Sequence, residues 1–100
     1  MGKLIKVFWR DIPSHIIFKT KSGRFKKQMS PRFAEAIDRA AMRAGKGSSD
    51  AYMADWRRDI KNIKVDDPES IVDREIEILE TLFSDDILEK TVKAKGRKDK

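Results

Sequence analysis

S-P-R-F-A-E-A-I-D-R-A-A-M-R-A-G, residues 30 to 45, is the stretch whose reading decides the fold, because it specifies one helix and marks both of its ends. Ser30 can cap the first turn, Pro31 suits the first helical position because its missing N–H would have no partner there, and Gly45 can take the left-handed closing conformation. Phe33, Ile37, Ala40 and Ala44 recur at helical spacing with Ala36 and Ala41 beside them, while Arg32, Glu35, Asp38, Arg39 and Arg43 fall opposite. The pattern predicts a one-sided helix on a flat support, which its small alanines let it approach closely.

Toward the N-terminus the support reads as sheet. Lys3 to Trp9 is a strand with Ile5, Val7 and Trp9 on one face and Leu4 and Phe8 on the other, so both faces are apolar. Arg10, Asp11, Ile12 and Pro13 interrupt it, since proline cannot donate to a ladder. Ser14 to Thr20 is a second strand. Lys21, Ser22, Gly23 and Arg24 make a tight turn, and Arg24 to Met29 returns as a third, whose charge and shortness suit an edge.

Toward the C-terminus, Ser48 or Ser49 can cap a short turn through Asp50 to Ala54, and Trp56 to Val65 reads as a fourth strand with a bulge, because Ile60, Ile63 and Val65 do not keep a period of two. Asp67 caps a second helix opened by Pro68. Its Val72, Ile76, Leu79 and Phe83 form a stripe, with Glu69, Asp73, Glu75, Glu77 and Glu80 toward solvent. Ser84, Asp85 and Asp86 restart a short turn carrying Ile87 and Leu88. The expected architecture is α+β: a two-layer sandwich of a mostly antiparallel four-stranded sheet with two main helices on one face, in the order β-β-β-α-β-α. Residues 1–89 form a single domain and residues 90–100 a basic, flexible tail.

Composition bounds the chemistry. One hundred residues suffice for one modest core, and 39% hydrophobic against 40% charged residues describe a folded chain with a heavily charged surface. The absence of cysteine excludes disulfides, thiolate chemistry and Cys-ligated zinc, and a cytoplasmic location is expected, with no membrane-spanning run. Charge is segregated: residues 1–66 hold 16 Lys and Arg against 7 Asp and Glu, residues 67–89 hold 1 against 9, and residues 90–100 hold 6 against 1. An acidic helix lying against a basic body accounts for that alternation.

No catalytic residue, metal site or cofactor is expected. The single histidine, His15, falls among the polar positions of a strand, and Gly45-Lys46-Gly47-Ser48-Ser49 lacks the spacing of a phosphate-binding loop. Two clusters could bind a macromolecule. Trp9, Arg10 and Asp11 with Asp50, Tyr52, Trp56 and Arg57 are residue types enriched where proteins meet, and they form the protein-partner candidate. Lys19, Lys21, Arg24, Lys26 and Lys27 with Phe25 among them form the nucleic-acid alternative, with charge for a backbone and a ring for stacking.

Three separated motifs carry a family resemblance: Phe8-Trp9-Arg10-Asp11-Ile12-Pro13; Pro31-Arg32-Phe33 with Glu35 through Gly45; and Ser49-Asp50-Ala51-Tyr52 with Trp56-Arg57-Arg58. In this order they resemble the free-standing form of the small bacterial domain family described as "virulence factor". The resemblance covers residues 3 to 65. It implies a domain without assigned catalytic residues and, from the gene neighbourhoods of some relatives, a possible association with folate- or corrinoid-linked one-carbon enzymes. The expected function is a small, non-enzymatic protein-binding or accessory module whose partner is an unidentified protein, a one-carbon enzyme or a second copy of the chain. Nucleic-acid binding by the basic hairpin and tail is the alternative.

Overall fold

The computed structural model describes residues 2–45 and 52–97. Its elements are β1 (Gly2–Trp9), β2 (Ile12–Thr20), β3 (Gly23–Gln28), α1 (Pro31–Arg43), β4 (Trp56–Ile63), α2 (Pro68–Leu82) and α3 (Asp85–Lys93). The strands form one antiparallel sheet in the order β3-β2-β1-β4, so β1 is central and paired on both sides. The predicted α+β architecture with helices over one sheet face holds, with one more helix than expected.

Phe33, Ala36, Ile37, Ala40 and Ala41 of α1 are buried, which is the predicted stripe, and Gly45 closes the helix at φ 71°. Ser30 precedes α1 without capping it; its hydroxyl donates instead to Glu80 Oε1 at 3.0 Å. In α2, the Asp67 side chain caps by accepting from the Ser70 N–H, and Val72, Ile76 and Leu79 are buried. Both helices meet β2, α2 also covers β3, and α3 packs on α1.

Alternation along the strands separates two faces. Leu4, Ile16 and Phe18 enter the core beneath the helices, and Lys6 and Lys27 reach up to Glu75 and Asp73 of α2 at 2.9 and 2.8 Å. The register between β1 and β2 slips between Val7 and Phe8, leaving Ser14 as an extra residue. Beyond this irregularity Trp9 joins Leu4 in the core, although strict alternation from Leu4 would put it on the opposite face. The sequence-based grouping of Trp9 with Ile5 and Val7 fails for that reason. Pro13 sits at the irregularity, where a missing N–H is tolerated, so β2 starts at Ile12 instead of Ser14.

Two other expectations are corrected. The bulge lies in the β1–β2 pairing, whereas β4 pairs with β1 in unbroken register from Trp56 to Ile63; Ile60 and Ile63 lie on opposite faces of a regular strand. The boundary at residue 89 also moves. Ser84 caps α3, Leu88, Thr91 and Val92 are buried, and the Asp11 N–H donates to the Gly96 carbonyl at 2.8 Å. Residues 90–97 are thus built into the domain, because Leu88 and Val92 supply a helix stripe that the surrounding lysines obscure.

Candidate functional site: the uncovered sheet face and its aromatic end

The residues of the protein-partner candidate meet at the β1–β2 hairpin. Trp9 has no exposed surface; its ring stacks on Tyr52 at 5.9 Å and its indole N–H donates to the Tyr52 carbonyl at 2.9 Å. Tyr52 in turn meets Trp56 edge to face at 5.7 Å. Arg10 takes the first position of the two-residue turn with φ 53°, a left-handed conformation costly for a residue with a Cβ. Three contacts hold it there: its N–H to the Asp55 carbonyl at 3.0 Å, its Nε to Asp55 Oδ2 at 3.2 Å, and its Nη1 to the Lys95 carbonyl at 2.8 Å. Arg57 donates to the Arg10 carbonyl at 2.8 Å, pairs with Asp11 and Asp59, and covers the Phe8 ring at 4.4 Å.

Most of this cluster therefore fastens the hairpin to the β4 entry and to the end of the chain. Trp56 and Tyr52 are half-buried and Arg57 is exposed, so these three retain surface to offer a partner. Asp50 lies outside the described residues.

The basic hairpin set is split. Lys19, Arg24 and Lys26 lie on the face away from the helices, whereas Phe25 stands opposite Phe18 on the helix side and Lys27 is engaged by Asp73. Lys21 is in the turn between β2 and β3. Phe25, 43% exposed, is thereby separated from the three cations expected to work with it.

Sequence reasoning missed the sheet face as a unit. The register lines up Arg24, Lys19, Lys3 and Asn62 in one row across the strands, Lys26, Ile17, Ile5 and Ile60 in the next, and Gln28, His15, Val7 and Arg58 in a third. None of these positions holds an acid. Ile60 is 57% exposed in the middle of a strand. The alternation of β2 and β3 could have grouped Lys19, Arg24 and Lys26, but the addition of Lys3, Ile60 and Arg58 required the long-range pairing of β1 with β4.

At one end of this face Val7, His15, Tyr52, Met53, Trp56 and Arg58 line a largely apolar groove of about 620 Å³ that Arg57 also borders. A larger depression, beside α2, is polar and mixed in charge, and its walls include the Lys27–Asp73 pair. Burial lowers the His15 pKa, and the nearby Lys26 and Arg58 charges lower it further. Tyr52 is raised by burial and by Asp38.

His15 Nδ1 and the Ser14 hydroxyl are 3.1 Å apart, a nucleophile beside a base in outline. A catalytic imidazole, however, is supported by a carboxylate that stabilises its protonated form, and here the charges acting on it are cationic. Among the described residues no group of three or more His, Asp or Glu is placed to hold a metal ion, and no helix is long and apolar enough to cross a membrane.

A family model described as "Virulence factor" matches residues 7–92. No curated protein and no solved structure matches the chain.

Proposed function

We propose that this chain, which belongs to the virulence factor family, is a non-enzymatic binding module that engages a macromolecule through the uncovered face of its sheet and the groove at its aromatic end. One observation carries the reading: among the described residues α1 and α2 lie over one side of the sheet, while the other side presents the exposed Ile60 beside the half-buried Ile17, with Ile5 buried between them, within a border of Lys3, Lys19, Lys26 and Arg58. A contiguous apolar stripe rimmed by charge is the pattern of an interaction surface. The Trp9 corner has a separate task in this reading, holding the hairpin and β4 entry so that Trp56 and Arg58 border the groove.

A photo-crosslinking residue at position 60, with one at the exposed Ile78 of α2 as control, tests the surface in cells expressing the protein. Adducts with a macromolecule from position 60 and none from 78 are expected. Absence of adducts from 60, or equal yields from both positions, would remove the proposal.

The acid-free character of the face also favours nucleic acid as a second reading, with Lys3, Lys19, Arg24, Lys26 and Arg58 meeting phosphates. Binding of a single-stranded oligonucleotide at physiological salt, lost on Lys26→Glu, is the outcome that would favour it.

A further inference from the structure

The two faces of the sheet carry related surfaces, and among the described residues the chain lays helices over only one. On the helix side, Ile16 and Phe18 receive the apolar stripe of α2, and the flanking lysines Lys6 and Lys27 pair with Glu75 and Asp73 at 2.9 and 2.8 Å. On the other side, Ile5, Ile17 and Ile60 form a stripe across three strands in which Ile60 is exposed, Ile17 half-buried and Ile5 buried between them, flanked by cations with no acid among the register positions. We infer that this second face binds an acidic amphipathic helix of a partner protein, laid across the sheet as α2 is laid across the first.

Dimensions agree. Four strands at about 4.8 Å separation make a face about 15 Å wide, room for one helix of about 10 Å diameter with its side chains. An apolar residue of the docked helix would enter the groove between Val7, Tyr52 and Trp56, the kind of pocket that an anchor residue fills in helix-in-groove recognition. Glutamates or aspartates on its margins would meet Lys19, Lys26 and Arg58 as Glu75 meets Lys6.

Two other occupants fit less well, one on charge and one on the absence of stacking rings. A second copy docked face to face would set Lys and Arg against Lys and Arg, which is repulsive in a partly desolvated interface. A single strand of nucleic acid would find phosphate contacts but no aromatic ring within the register rows, since Phe25 is on the helix side and Trp56 stands only at the end.

The inference rests on the reading of this face as the binding surface, and its test separates the two. Three probes are titrated into the full chain: a synthetic acidic amphipathic peptide of about 18 residues with leucines at helical spacing, the same peptide with lysine in place of glutamate, and a single-stranded oligonucleotide. Saturable binding of the acidic peptide in the micromolar range is expected, with methyl NMR shifts at Ile5, Ile17 and Ile60 and an indole shift at Trp56 while Ile16 and Ile76 stay still. The lysine peptide should not bind. Ile60→Glu and Lys26→Glu, both at exposed positions, should each weaken binding about tenfold or more with the circular dichroism spectrum unchanged.

Failure of the acidic peptide to bind, equal binding of the lysine peptide, or shifts at Ile16 and Ile76 in place of Ile60 would overturn the inference. If the oligonucleotide alone binds, or if position 60 crosslinks to a macromolecule while the acidic peptide does not bind, this inference falls and the binding face stands. If nothing binds and nothing crosslinks, both fall.

Discussion

Glu80 near the end of α2 grips Ser30 at the start of α1 through two bonds: the Ser30 N–H donates to Oε2 at 2.7 Å and the hydroxyl to Oε1 at 3.0 Å. Arg32 donates to the same carboxylate at 3.0 Å and to the Glu80 carbonyl. Burial by itself would raise the Glu80 pKa, but these donors outweigh it and hold the carboxyl below its ordinary value of 4.5. A depressed carboxylate contributes stability that is present above the unfolded pKa and lost as pH falls through the folded one. Glu80→Gln should therefore cost about 1 to 3 kcal/mol in urea denaturation at pH 7. The gap to the parent protein should close as the titration is carried down toward pH 3.

Gly96→Ala should be among the more damaging small changes. Gly96 has φ 90°, and a Cβ there would come 2.7 Å from Trp9 Cζ3, a ring that cannot withdraw because it has no exposed surface. A cost of about 2 kcal/mol or more is expected in thermal denaturation, combining left-handed strain with displaced packing. Gly23→Ala is the control: its φ is 145° but nothing lies within 4 Å, so only the backbone penalty applies.

Deletion of residues 90 to 100 should do far more than trim an extension. It removes the buried Thr91 and Val92 and the carbonyls of Lys95 and Gly96 that fasten Arg10 and Asp11. A loss of at least about 3 kcal/mol is expected by urea unfolding, with a red shift of tryptophan emission as water reaches Trp9. Unchanged stability and emission would mean that these contacts do not form.

The two sheet faces should respond unequally to truncation. Ile16→Ala, at a fully buried site beneath the helices, should cost about 2 to 5 kcal/mol, whereas Ile60→Ala should stay within about 0.5 kcal/mol of the parent. Chemical denaturation of the two variants checks the contrast.

His15 should titrate below 6.5, through burial first and the Lys26 and Arg58 charges second. Because the folded pKa is the lower one, the associated stability is complete above the unfolded value and declines as pH falls from about 6.5. NMR titration of the imidazole should show the midpoint moving up in Arg58→Ala and in Lys26→Ala.

How far the sequence led depended on whether the deciding contact was local. α1 was legible because Pro31, Gly45 and the Phe33–Ile37–Ala40 stripe all lie within it. The hydroxyl of Ser30 was not, because its partner stands 50 residues away. In β4, Ile60 and Ile63 are equally apolar, and only the pairing with β1 shows that one faces the helices and the other does not. The third helix was signalled by Ser84, Leu88 and Val92, but their lysine-rich surroundings read as solvated chain. Of the candidate surface, the alternation of β2 and β3 already separates Phe25 and Lys27 from Lys19, Arg24 and Lys26. The rows that join these cations to Ile5 and Ile60 exist only once β1 is central.

That central position also sets an order of events. β1 can pair with β2 as soon as the hairpin forms, but its other neighbour comes about 50 residues later, and the Arg10–Asp11 corner waits for Lys95 and Gly96. During synthesis, which delivers the N-terminal strands first, one edge of β1 stays unpaired until Ile63 has emerged, and the cover of Trp9, begun by Tyr52, is completed only by Gly96. The last described residues to emerge are thus the ones that close the first hairpin.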